Sequence, residues 1–449
     1  MSWLEKLHAI EALEDGDFDA RLVAEMEAAS ARPRSAVLRP IRFSTPTFKE
    51  YASSEMKGCS KNSFPAFSVT AGACALDCDH CQAKILEPMI PATTPEMLDA
   101  KVRDLVLLQD LQGFLLSGGS NRRNEIKYEK YLPVIERLKR DFPHLKVAIH
   151  SALLDERRAK AMESAGVDTA MMDVIGSEAT IREVYHLDRP VADFEATLAA
   201  LCSTRMEIVP HIVIGLHYGR ILGEADALDI CARHAIHSLV LVVVMPFYAK
   251  AGTFTTPATA DVGRIFLEAR RRLPEKQVLL GCARPAGMHK RVTDAYAVMA
   301  GLDGIAFPAD GAVALADAIG RPHEQQHACC SIKIGGNVKG RPMATACAGK
   351  RTRGAGRIMR DGEFEWDDAK SRSNLAKHDV SFELARRVFE DPNHVELPDD
   401  DPDEQRWNAI GTAEARLLFV VFAERNGRVR IISARKANKN EQVSYFADR

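Results

Sequence analysis

The chain has 449 residues, 46% hydrophobic, 27% charged and 6% aromatic, which are globular values that exclude a disordered, collagen-like or coiled-coil protein. Sixty basic against 62 acidic residues leave a formal charge of −2, so no whole-chain field argues for nucleic acid or an anionic membrane. The longest apolar run, about eleven residues from Leu239 to Ala249, is short of the ~20 that a membrane span needs, and no membrane partner is expected.

The opening MSWLEKLHAIEALEDGDFD is acidic and lacks the basic flank and apolar run of a secretory signal, so a cytoplasmic location is expected. Ten cysteines in a reducing compartment point to metal binding or reactivity rather than to disulfides.

Residues 1–62 read as an N-terminal extension, helical at first and then irregular through FSTPTFKEY to Cys59. Residues 63–331 alternate short apolar runs with amphipathic stretches such as PEMLDAKVRDLVLLQDL and YEKYLPVIERLKRDF. The predicted strands are Ala66–Thr70, Gly113–Ser117, Lys146–His150, Thr169–Val174, Glu207–Ile214, Ser238–Met245, Gln277–Gly281 and Gly304–Phe307. Such an alternation predicts an α/β fold, a parallel (β/α) barrel that is full or partial, with its site at the strand C-terminal ends.

Residues 332–362 carry Lys333, Lys339, Arg341, Lys350, Arg351, Arg353, Arg357 and Arg360 against Asp361, with seven glycines. This is a basic flexible linker, either a solvated spacer or a nucleic-acid tether. Residues 363–449 change pattern again: two helical stretches, an acidic loop from Glu390 to Glu404, then strand-like ARLLFVVFAE and RVRIISARK joined through Asn426-Gly427, a hairpin signal. A small α+β domain is expected.

The strongest chemical signal is VTAGACALDCDHCQAK, where Cys74, Cys78 and Cys81 follow the first strand with the spacing C-x3-C-x2-C. Three thiolates on one loop can each take one iron of a [4Fe-4S] cluster and leave the fourth iron open. Structural zinc would want a fourth local ligand, and His80 is badly placed beside Cys81.

At these residues the sequence resembles the radical SAM superfamily. The resemblance implies that S-adenosylmethionine binds the open iron and is reductively cleaved, with an electron donor such as flavodoxin or ferredoxin. It also implies SAM contacts at Gly118, Gly119 and Ser120 in LLSGGSNRRN, and at Ile214 and Gly215 in VPHIVIGLHYGRILGE. His211 and His217 in that segment read as structural or pocket-lining rather than as ligands.

Cys59, Cys282 in GCARP, and Cys329 and Cys330 in HACCSIK flank the predicted barrel and suggest a second iron-sulfur cluster at its mouth; buried unpaired cysteine is the alternative. Cys202 and Cys231 fall in helical patterns as core residues, and Cys347 lies in the linker.

Over about residues 40–333 the segments FSVTAGACALDCDHCQAKILEPMI, LLSGGSNRR, VPHIVIGLHYGRILGE and GCARPAG look like the radical SAM proteins of two-component lipoyl synthases. That implies sulfur insertion into an octanoyl chain on a carrier protein, a partner radical SAM protein and a sacrificed second cluster. Another radical SAM reaction, biotin synthase-like or uncharacterised, and a non-catalytic metal-holding protein are the alternatives.

From FEWDDAKSRSNLAKHDVSFELA through RWNAIG to RVRIISARKA, Glu441 and Tyr445, the chain resembles the BrnT toxins of type II toxin-antitoxin systems. This implies a RelE-like ribonuclease fold, RNA as substrate and an antitoxin partner, and it leaves a primarily toxic function as a further alternative. His378, Arg406, Arg430 and Arg435 are the candidate catalytic residues; a solvated, salt-bridged surface is the competing reading.

Overall fold

The computed structural model describes residues 1–31, 36–45, 55, 64–108, 111–326, 358–361, 364–391, 394–399, 406–414, 416–425, 428–438, 441 and 445. The chain divides into two units, Met1–Ile334 and Gly335–Arg449.

The strands of the first unit are β1 (Ile41–Ser44), β2 (Ala66–Ser68), β3 (Ile90–Pro91), β4 (Gly113–Ser117), β5 (Lys146–His150), β6 (Thr169–Asp173), β7 (Glu207–Ile214), β8 (Ser238–Val243), β9 (Gln277–Leu280), β10 (Gly304–Ala306) and β11 (His323–Gln326). They form one sheet in the order β11-β1-β10-β9-β8-β7-β6-β5-β4-β2-β3, and every pairing is parallel. The two edges, β3 and β11, do not pair with each other, so this is an open α/β barrel. The eight predicted strands are all present; β1, β3 and β11 are additions to the predicted set.

Parallel strands need long crossovers, and from β3 onward helices supply them between successive strands. Their apolar stripes pack on one face of the sheet, where Val147, Ile149, Ile208, Ile212, Ile214, Leu239, Leu241 and Leu280 join the main core. Residues of opposite parity make a smaller apolar plug on the other face: Ala148, Met171, Val209, Val240 and Leu279, with Phe64. This second face is the barrel lumen. No helix among the described residues is long and apolar enough to cross a membrane.

In the second unit the strands are β12 (Ile358–Asp361), β13 (Phe364–Asp367), β14 (Val395–Asp399), β15 (Arg406–Ala413), β16 (Arg416–Arg425) and β17 (Arg428–Lys436). Their order is β12-β13-β17-β16-β15-β14, antiparallel except for β13 beside β17. Arg425 pairs with Arg428, as a two-residue hairpin connection requires. Two expectations are corrected. The end of the basic stretch, 358–361, is a strand rather than linker, and the acidic loop contains β14.

Helices Asp368–His378 and Phe382–Ala385 cover one face of this sheet, where Trp366, Phe382, Val388, Leu418, Val420 and Phe422 form its core.

Candidate functional site

The cysteine loop begins where β2 ends. Ser68 Oγ donates to the Ala71 carbonyl at 2.6 Å, and Ala71 takes a left-handed φ of 52°, so the chain turns at once over the strand ends. Cys78 and Cys81 share a tight turn, with the Cys81 and Gln82 N–H groups both donating to the Cys78 carbonyl at 3.2 and 2.9 Å. Cys74 is held against the end of β4: the Ala75 N–H donates to the Ser120 carbonyl at 2.8 Å, and Cys74 Sγ lies 3.8 Å from the same oxygen.

The glycine pair is explained by this contact. A Cβ on Gly119 would stand 2.0 Å from the Ala73 carbonyl oxygen and 2.6 Å from Cys74 Cα. The Gly119 N–H donates to Thr70 Oγ1 at 2.7 Å. Bare backbone here is what lets the cysteine loop settle on β4.

The three thiols are free; Cys78 lies inside an apolar cluster of Leu76, Ile175, Ile181, Val184, Tyr185, Leu187, Leu216, Val244 and Phe254, and the half-buried Cys74 and Cys81 pack against it. Burial, then the neighbouring Cys81 and Cys74, push the Cys78 thiol far up; burial also pushes Cys81 up to about 11. Uncompensated thiolates are costly in such a place, and a cationic metal centre removes that cost by taking them as ligands. Donor chemistry and burial therefore fit an iron-sulfur cluster. Among the described residues no three His, Cys, Asp or Glu side chains converge on one point as ligands of a single ion would.

Beneath the loop, the lumen face ends in polar residues. Asp173 closes β6 in register with His211 of β7, and His150 closes β5, its Nε2 3.7 Å from Asp173 Oδ1. The His150 and His211 rings meet edge to face at 5.4 Å. Burial raises the Asp173 pKa, but the three imidazoles of His150, His211 and His80 outweigh it and leave a value of about 2; burial lowers His211 to about 4. His80 stacks on Tyr185 at 5.0 Å, and its Nδ1 is buried without a hydrogen-bond partner.

The other predicted residues fall as follows. Ile214 is fully buried on the helix side, so at this position only backbone faces the mouth. Gly215 has φ +77°, is crowded by Pro257, and its N–H donates to Glu224 Oε1 at 2.8 Å. His217 is buried beside Thr180; Cys231 belongs to the core, and the half-buried Cys202 packs against it. Cys282 is exposed; Cys59, Cys329, Cys330 and Cys347 lie outside the described residues.

In the second unit Arg406, Ala423, Arg430 and Glu365 stand in register across four strands, and Arg435 pairs with Phe419 on the same face as Ala423. The three arginines thus share the sheet face opposite the helices. Arg430 contacts Glu365 at 3.1 Å, and Arg435 makes a two-pronged pair with Glu441 at 2.7 and 2.8 Å while lying over the Phe419 ring. His378 is exposed at the end of a helix packed on the other face, so the structure does not bring it to the arginines.

Residues 366–441 match the family model of BrnT, the ribonuclease toxin of a type II toxin-antitoxin system. No curated protein matches the chain. Among solved structures, HydG, a maturase of the [FeFe]-hydrogenase, aligns at 13% identity and TM-score 0.46 over 68% of each chain. Methylornithine synthase aligns at 9% and 0.43 over 69% of this chain and 87% of its own. The radical SAM enzyme HemN, coproporphyrinogen III oxidase of Escherichia coli, aligns at 12% and 0.32 over 58% and 57%.

Asp79, Asp173 and the buried pair of Arg284 and Asp294 were not singled out from sequence. Asp79 lies inside the cysteine motif, and Asp173 lies within the predicted strand Thr169–Val174; their partners lie far along the chain.

Proposed function

We propose that the first unit is a radical SAM enzyme whose [4Fe-4S] cluster is held by Cys74, Cys78 and Cys81. The observation that carries this is the placement of three free thiols, Cys78 buried and Cys74 and Cys81 half-buried, on one loop over the C-terminal mouth of an open parallel barrel. Held by Cys74, Cys78 and Cys81, the cluster would supply the electron for reductive cleavage of S-adenosylmethionine. The chain's own part is to fix Cys74 against Ser120 through Gly119, to keep water from the thiolates with the apolar cluster around them, and to present His150, Asp173 and His211 below. Protein reconstituted without oxygen and given a reductant should form 5′-deoxyadenosine, and the triple Cys→Ala variant should form none. Undiminished product from that variant would refute the assignment.

The finer reading is sulfur insertion into a protein-bound octanoyl chain, with a partner radical SAM protein and a second cluster at Cys59, Cys282, Cys329 and Cys330. Its support is the resemblance of the motif segments, together with the exposure of Cys282 just past β9. Iron persisting near four per chain in the triple Cys→Ala variant is the expected sign of the second cluster.

For the second unit we infer RNA cleavage, controlled by an antitoxin. The family match and the shared face of Arg406, Arg430 and Arg435 support it. The register sets Arg406 and Arg430 about 10 Å apart across the strands and Arg435 about 13 Å further along, a spread suited to several phosphates. Glu365 and Glu441 orient two of these guanidinium groups. Arg435→Ala in the full chain should lower RNA cleavage by roughly two to three orders of magnitude, the scale of losing one transition-state donor. A change confined to substrate affinity would make Arg435 a phosphate anchor instead.

A further inference from the structure

Asp79 lies between two of the cysteines, and ligation leaves it no task. Its carboxylate is nonetheless buried and joined to three separate loops. His186 Nε2 is 3.1 Å from Oδ1, the Tyr218 hydroxyl donates to Oδ2 at 3.3 Å, and the Lys250 ammonium stands 4.0 Å from Oδ1. The backbone repeats the connection: the Asp79 N–H donates to the Val184 carbonyl at 3.0 Å, and the Asp79 carbonyl accepts from the Lys250 N–H at 2.8 Å. His186 follows β6, Tyr218 follows β7 and Lys250 follows β8, so one side chain fastens the cysteine loop to three consecutive strand ends.

Two of these anchors sit in left-handed backbone, His186 at φ +53° and Tyr218 at φ +54°. Bulky residues avoid that region, and such conformations persist only where surrounding contacts hold them. The single Tyr218 hydroxyl proton is shared between Asp79 Oδ2 and the Glu183 carbonyl, which lies 3.0 Å away, and the ring packs on Phe254 at 5.0 Å.

We propose that Asp79 is a positioning residue of the metal centre: it latches the cysteine loop to the barrel mouth and keeps a fixed negative charge beside the thiolates that governs how readily the centre accepts an electron. This rests on the radical SAM reading of the same loop. A negative charge opposes the arrival of an electron, and the apolar cluster around the loop weakens screening.

The test uses the full chain, reconstituted without oxygen, with three readouts: midpoint potential, rate of iron loss to a ferrous chelator, and amide exchange in the cluster-free protein. Asp79→Asn keeps an oxygen for Tyr218 but removes the charge, so the potential should rise while iron loss stays near the wild-type rate. Asp79→Ala should show the same rise with iron loss about tenfold faster, the scale of a lost hydrogen bond to a charged group. Tyr218→Phe should hasten iron loss without raising the potential. An unchanged potential in Asp79→Asn overturns the charge role, and wild-type iron loss in Asp79→Ala and Tyr218→Phe overturns the latch; if Asp79→Ala fails to fold, the other two variants decide. Should the wild-type chain bind no cluster, the radical reading fails by itself. The latch then stands on faster exchange of the Lys250 amide in cluster-free Asp79→Ala and falls if that exchange is unchanged.

Discussion

Gly119→Ala should leave the barrel folded and strip the cysteine loop of its function. The added methyl would lie 2.0 Å from the Ala73 carbonyl oxygen and within 2.7 Å of the Cys74 Cα and Cβ. Those neighbours are mostly backbone, so relief requires the loop itself to move by about an ångström, and misplacement on that scale costs about 100-fold in rate. Formation of 5′-deoxyadenosine should drop by at least that factor, with iron content below wild type and an unchanged circular dichroism spectrum. Gly118→Ala is the control: its methyl meets Val69 Cγ2 at 2.7 Å, a side chain that can turn aside, and the loss should be much smaller. Wild-type turnover by Gly119→Ala would show that the loop does not depend on its seat against β4.

Arg284→Met should produce the largest loss of stability. The Arg284 and Asp294 side chains are both 0% exposed and joined at 2.6 and 2.9 Å, and Arg284 also donates to the Gly281 and Phe307 carbonyls while Asp294 accepts from the Ala309 N–H. Removing one partner leaves a buried carboxylate without its counter-charge, at a cost of about 3–5 kcal/mol. For a unit of this size that is a fall in melting temperature of roughly 10 °C. Arg284→Met combined with Asp294→Leu should recover much of it, since no charge is then left alone. A melting temperature unchanged in Arg284→Met alone would mean that the pair contributes nothing.

The sequence was most legible where a period or a spacing was strong. All eight apolar strand patterns correspond to strands, but β1 lay in a segment read as irregular, β3 is two residues ending in proline, and β11, His-Glu-Gln-Gln, has no apolar residue. In the second unit the acidic count hid β14. The arginines carry a sharper lesson: a separation of five would put Arg430 and Arg435 on opposite faces of a regular strand. The irregularity opposite Val421 and Phe422 adds one residue and turns both to the same face. The cysteines declared themselves by spacing, whereas Asp79 depends on side chains 107 and 139 residues away, which no local pattern contains.

The open barrel has one more consequence, for how copies of this protein behave toward each other. An unclosed parallel sheet offers two rows of unsatisfied backbone groups, a standing invitation to polymerise by strand addition. One border here is only Ile90–Pro91, too short to template a newcomer and lacking an N–H at its proline. The other, His323–Gln326, is polar throughout, with Glu324 tied to Arg42 on the neighbouring strand at 2.8 Å. The borders that make the sheet poor at predicting itself from sequence also make it poor at recruiting a second sheet, so among the described residues neither border is a seam for aggregation.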